Sequence, residues 1–202
     1  MSKKTELAPA TPNETADWWQ WALSIPEESN PFTGGDILQK QDRPFLYLTG
    51  TSESNPGKEP IPRKLTISGG QGNKEWLFPL FVGEFSTAEE PHATDDELLA
   101  RAKKEAQPKE LKLIIDGDLN YKLSPNREEW QQYYVESAPF TVNIPSNSVL
   151  GGKIAPNTYK AVSAGYFVKL PPLDSGKKRT LTFGGTGDSF TTEVTYEVTR
   201  LE

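Results

Sequence analysis

The ten residues from Phe190 to Thr199 carry the strongest constraint on how this chain can fold. Phe190, Thr192, Val194, Tyr196 and Val198 alternate with Thr191, Glu193, Thr195, Glu197 and Thr199. A strand sends successive side chains to opposite faces, so a period of two describes a sheet with one face on a core and one in water. Such a strand cannot stand alone and must pair within a larger sheet. Leu181 and Phe183 lie just upstream, and the same period places them on the core face with Phe190, Val194, Tyr196 and Val198. Thr191, Glu193, Thr195 and Glu197 are then expected on the wet face. Buried glutamates there would demand a metal, a partner subunit or raised pKa values.

The rest of the chain supplies partners for that strand. Strands are predicted at Phe45–Thr49, Lys64–Ile67 and Trp76–Val82, with Pro79 marking an edge or a bulge in the last. Residues 111–115 and 119–123 flank an Asp116-Gly117 pair, the composition of a tight hairpin. Phe140, Val142 and Ile144 alternate with polar neighbours, and Tyr159–Leu170 is a long β-forming run in which Gly165 marks a bulge or bend. Two helices have sharp local starts. Thr11, Pro12 and Glu14 form a capping box ahead of Trp18-Trp19-Gln20-Trp21, and Thr94 with Glu97 forms another ahead of a thin apolar stripe ending near Gln107. Trp18, Trp21 and Leu23 cluster on the first helix as its docking face, while Trp19 points elsewhere. Nine or ten strands with two helices predict an antiparallel β-sandwich or jelly roll carrying two short peripheral helices. A chain of 202 residues is compatible with one such unit over residues 11–202, preceded by a loose tail over 1–10.

Composition removes many functions. With no cysteine, thiolate catalysis, disulfides and cysteine-ligated metals are excluded. The single histidine, His92, rules out multi-histidine metal sites within one chain, and its polar Glu-Glu-Pro-His-Ala-Thr setting reads as a solvated loop. A net charge of −6 gives no attraction to a phosphate backbone, so no nucleic-acid partner is expected. No apolar run reaches the ~20 residues of a membrane helix. No cofactor is implied; a carbohydrate or protein partner and a homo-oligomer are both compatible with the sequence.

Four groups of residues invite a functional reading. Asp116, Asp118 and Asn120 space their oxygens like the opening of a calcium loop, but Tyr121 and Arg127 stand where that loop wants glycine and glutamate, and a type I′ hairpin accounts for the same residues. Gly184-Gly185-Thr186-Gly187-Asp188 has the glycines of a phosphate cradle, yet it precedes a strand rather than a helix and reads as a hairpin loop. Trp76, Trp130, Tyr133 and Tyr134 would serve as a sugar-stacking platform if exposed, and as core if buried. Gln41 and Arg63, each at a strand entry, either hydrogen-bond within the fold or line a pocket. Acidic residues are plentiful, but no spacing singles out a catalytic carboxylate pair.

The order of short motifs carries a resemblance. Trp18-Trp19-Gln20-Trp21-Ala22-Leu23-Ser24-Ile25-Pro26, Pro44-Phe45-Leu46-Tyr47-Leu48-Thr49-Gly50, Arg63 and Leu77-Phe78-Pro79-Leu80 come early. Gly165-Tyr166-Phe167-Val168-Lys169-Leu170-Pro171-Pro172-Leu173 and Thr182-Phe183-Gly184-Gly185 come late. Over most of residues 17–200 the chain resembles a family of uncharacterised bacterial proteins, many of them exported. That resemblance implies a β-rich fold and no activity. The chain departs from the family pattern in its cysteine-free composition, in Lys178-Arg179-Thr180 where histidine is usual, and in a start without a leader. A cytoplasmic location is the expectation for the chain as it stands, and export if a leader precedes it. Two functions follow as expectations: a non-enzymatic binding or structural β-sandwich, or a carbohydrate-binding module or carboxylate-based hydrolase.

Overall fold

The computed structural model describes residues 6–52, 54–117, 122–123, 128–151 and 154–202. Among the described residues, eleven strands form two sheets. The first contains β1 (Ala8–Pro9), β2 (Leu46–Tyr47), β4 (Trp76–Ser86), β7 (Tyr134–Glu136), β8 (Phe140–Ile144) and β9 (Asn157–Leu170). The second contains β3 (Ile61–Ile67), β5 (Glu110–Ile115), β6 (Lys122–Leu123), β10 (Lys178–Thr186) and β11 (Thr191–Arg200). They stack as a sandwich, with Phe78 of β4 against Phe183 of β10 at 4.6 Å between ring centroids.

Both sheets are mixed rather than purely antiparallel. β2 runs parallel to β4 and β3 parallel to β11. The segment after β2 crosses from the first sheet to the second, so β3 enters alongside β11 from the same end. β9 organises the first sheet: β4 pairs along one edge, while β8, β7 and β1 succeed one another along the other. The short β1 lies within the stretch expected as a loose tail.

The helices are α1 (Pro12–Leu23), α2 (Gly69–Gly72), α3 (Asp95–Glu105) and α4 (Glu128–Gln131). Both predicted capping boxes form: Thr11 accepts from the Glu14 amide and Thr94 from the Glu97 amide, with each glutamate reaching back to its cap. α3 sits outside, resting Leu98, Ala102 and Ala106 on the sheet. α1 docks on the first sheet, over β7, β8 and β9. Trp18 and Trp21 are fully buried and donate to the carbonyls of Leu48 and Gln39. Trp19, expected to point elsewhere, is buried as well, because the chain after α1 folds back and sets Phe32 beside it, 6.2 Å between ring centroids.

In the C-terminal hairpin Leu181, Phe183, Val194, Tyr196 and Val198 are buried as read, while Phe190, expected with them, is only half-buried and packs against the core beside Phe81. Gly184 and Gly185 belong to β10 rather than to the loop, and the reversal is tighter, with Gly187 N–H donating to the Phe190 carbonyl at 2.8 Å. Gly184 has φ +155°, and a Cβ there would lie 1.7 Å from the Thr192 carbonyl oxygen, so only glycine fits. Its register partners on the two neighbouring strands are Lys112 and Glu193, which meet across it in a 2.6 Å ion pair. Glu193 is thus partly covered by its partner, and Glu197 is exposed. Thr191 is buried, contrary to the wet-face expectation, because Ser54 and Asn55 lie along it and bond its N–H and carbonyl.

Candidate functional site

Pro79 interrupts β4 in a way that shapes its surroundings. Lacking an N–H, it cannot complete the ladder, and the pairing with β9 slips between Pro79 and Phe81. Leu80 becomes the extra residue of a bulge. Phe78 and Phe81 then both turn toward the second sheet, where Gly185 and Gly187 make room for the Phe81 ring. β2 pairs with β4 only at Trp76 and Leu77, so from Phe78 onward no described strand covers that edge. A cavity of about 220 Å³ opens there, lined chiefly by Trp19, Leu23, Phe32, Leu80, Val149 and Leu150. The lining is apolar except at Gly50–Ser52 and Thr192, and there the Thr51 amide already donates to the Thr192 hydroxyl at 3.2 Å.

Past the bulge, alternation resumes. Gly83 faces α3, where a Cβ would meet the Ala102 carbonyl at 2.5 Å. Val82 and Glu84 therefore face the opposite side, the one that carries α1. Glu84 is the register partner of Ser163. Its Oε1 is shielded from solvent and has no hydrogen-bond partner, and the Oγ of Ser163, a residue only 1% exposed, is in the same condition. Burial, reinforced by the nearby Glu89 carboxylate, holds the Glu84 carboxyl well above the usual carboxylate range. Glu89 is exposed as a residue, yet partial desolvation of its carboxyl also raises it, against the pull of the Ser86 hydroxyl and amide that donate to its Oε2. The sequence pattern did not single out Glu84. Its available signal was a lone charged residue in the otherwise uncharged run Trp76–Ser86.

The residues singled out in the sequence are not brought together. Trp76, Trp130 and Tyr133 are buried, Trp76 under the Arg179 guanidinium at 5.4 Å from its ring. All five tryptophans are buried, so none offers a face for sugar stacking. Tyr134 is half-buried beside Tyr166 in an open depression, but the rings meet edge-on at 64° and make no flat platform. Burial, with Glu136 close by, pushes the Tyr134 hydroxyl up to about 12. Gln41 and Arg63 bind inside the fold. Gln41 donates to the Ile37 and Tyr47 carbonyls and accepts from the Tyr47 amide, while Arg63 donates to Thr49, Gly50 and the Tyr196 hydroxyl. Arg63 also borders a groove beside residues 34–38. His92 is exposed in its loop.

Of the calcium alternative, Asp118 and Asn120 lie outside the described residues. Asp116 and Gly117 both have positive φ, 52° and 80°, as a type I′ turn requires. Of the hairpin's pairing, Leu111 faces Leu123 and Lys112 faces Lys122. The Asp116 carboxylate is already engaged, accepting from the Thr180 amide at 2.8 Å. Among the described residues no three histidine, aspartate or glutamate side chains gather as a metal site, and no helix is long and apolar enough to cross a membrane. Comparison of the chain with protein-family models, curated proteins and solved structures finds no match.

Proposed function

We propose that this protein is a non-enzymatic binding module that takes a small apolar group into the cavity beside the β4 bulge. The observation that carries the reading is the cavity itself, an apolar recess of about 220 Å³ lined by members of the main hydrophobic core. An apolar void of about 150 Å³ already holds a benzene ring, so this one is large enough for a bicyclic ring or a short alkyl chain. The burial of every tryptophan speaks against a sugar-stacking surface. The motifs behind the family resemblance also have packing roles here: Trp18 and Trp21 anchor α1, Pro79 makes the bulge and Gly184 lets β10 approach β11. They support reading those motifs as the signature of a fold rather than of a reaction.

The test is 1-aminonaphthalene, a neutral bicyclic fluorophore whose emission rises in apolar surroundings. The wild-type protein is expected to enhance it saturably. Leu80→Arg should abolish the enhancement, and Val149→Trp, at the half-buried rim, should weaken it without placing a charge in the core. No enhancement by the wild type, or equal enhancement by both variants, overturns the reading.

A further inference from the structure

The second sheet ends at β3, whose far edge has no described strand beside it. Successive residues of a strand turn their N–H and C=O groups to opposite edges. The Ile67 carbonyl accepts from the Leu201 amide at 2.9 Å, so Arg63, Leu65 and Ile67 face β11 while Pro62, Lys64 and Thr66 face outward. Those three residues are exposed, and among the described residues nothing bonds the outward N–H and C=O groups of Lys64 and Thr66. Along this edge runs a groove of about 460 Å³, with residues 34–38 as its other wall. That wall is held in place by the fold. The Gly35 amide donates to the Asn30 carbonyl at 2.9 Å, the Leu38 amide to the Asp36 carboxylate at 2.9 Å, and the Gln41 side chain to the Ile37 carbonyl at 2.8 Å.

We propose that this groove takes an extended peptide segment of alternating apolar and acidic side chains, which adds to β3 as an antiparallel strand. It is a second site, independent of the cavity beside the β4 bulge. Free donors and acceptors on every second residue of an edge are matched by another extended backbone, and antiparallel pairing is the more stable form. Side chains of an added strand alternate as those of β3 do. One set lies on the side of Ile61 and Leu65, where Ile37 and Leu38 also line the groove, and calls for apolar groups. The other set lies on the wet face with Pro62, Lys64 and Thr66. Of the charged side chains along the groove, Asp36 and Arg63 are engaged within the fold, which leaves Lys64. Its register neighbour on β11, Glu197, forms no ion pair with it, so an acidic residue on the open side complements this edge. A second copy of the chain fits less well. Two-fold pairing of β3 with β3, centred on Lys64, sets that lysine against its own copy, and Pro62 offers no donor to the facing Thr66.

The experiment follows the fluorescence anisotropy of a labelled heptapeptide, Thr-Val-Thr-Val-Glu-Val-Thr, titrated with the full-length protein. Saturable binding is expected, and hydrogen exchange at the Lys64 and Thr66 amides should slow in the complex. In an antiparallel strand the glutamate amide points at β3 and the valine amides point away. N-methylation of the glutamate amide should therefore weaken binding about tenfold or more, while N-methylation of the preceding valine should change it by less than about threefold. Thr66→Pro removes an N–H that makes no bond within the fold, as proline already does at Pro62, and should also weaken binding about tenfold. Lys64→Glu keeps the test decisive if Thr66→Pro folds poorly. It should weaken the glutamate peptide and favour the same peptide with lysine in place of glutamate. Failure of the wild type to bind the peptide overturns the proposal. So does binding that tolerates both N-methylations equally, or that is indifferent to both Thr66→Pro and Lys64→Glu. Each of these failures leaves the apolar cavity standing, because that cavity is read out by its own fluorophore.

Discussion

Replacing Trp21 by alanine tests how α1 is built into the core. Trp21 is fully buried, with its ring 5.3 Å from Tyr47 and its Nε1–H donating to the Gln39 carbonyl at 2.8 Å. Truncating a buried tryptophan removes its transfer free energy and leaves a hole, together about 3–5 kcal/mol. The orphaned Gln39 carbonyl accounts for about 1 kcal/mol of that loss. Native stability is only about 5–15 kcal/mol, and for a chain of this size each kcal/mol moves the melting temperature by about 2–4 °C. Thermal unfolding followed by circular dichroism should therefore show Trp21→Ala melting about 6–20 °C lower than the wild type. Trp21→Phe keeps an aromatic ring but loses the hydrogen bond, and is expected to fall by about 2–8 °C. A Trp21→Ala variant that melts with the wild type would show that α1 packs on the sheet without holding it, and would refute the burial argument.

Two further outcomes follow from the backbone and from the shielded carboxyl. Gly184→Ala should lower the melting temperature at least as much as Trp21→Ala, because its Cβ would overlap the Thr192 carbonyl, while Gly70→Ala, with nothing within 4 Å, should be close to neutral; equal behaviour of the two would refute the close approach. The Glu84 pKa is raised in the folded state, so its contribution is fully present below the unfolded carboxylate value and is lost as pH rises through the folded value. Urea unfolding from about pH 5 to about pH 8 should show Glu84→Gln gaining stability relative to the wild type as pH rises, and a difference that does not change with pH would count against a shielded Glu84.

What the sequence by itself determined is local. Both capping boxes were legible because a cap depends on residues three apart, and Thr11 with Glu14 and Thr94 with Glu97 need no distant partner. The core face of β11 was legible because the pleat imposes a period of two whatever lies opposite. Pro79 announced its bulge because a missing N–H is a property of the residue. The tertiary structure decided everything that depends on which segments meet. Trp19 is buried because the chain following α1 folds back and brings Phe32 to it, and Thr191 because Ser54 and Asn55 lie along its strand. The mixed sheets arise from a crossover between layers, which no local pattern encodes. The candidate site is of the same kind. Leu80, Trp19 and Val149 are far apart in sequence, and Glu84 meets Ser163 only through the pairing of β4 with β9. A cavity is a place where several elements fail to fill the space between them, so it exists only once those elements have packed.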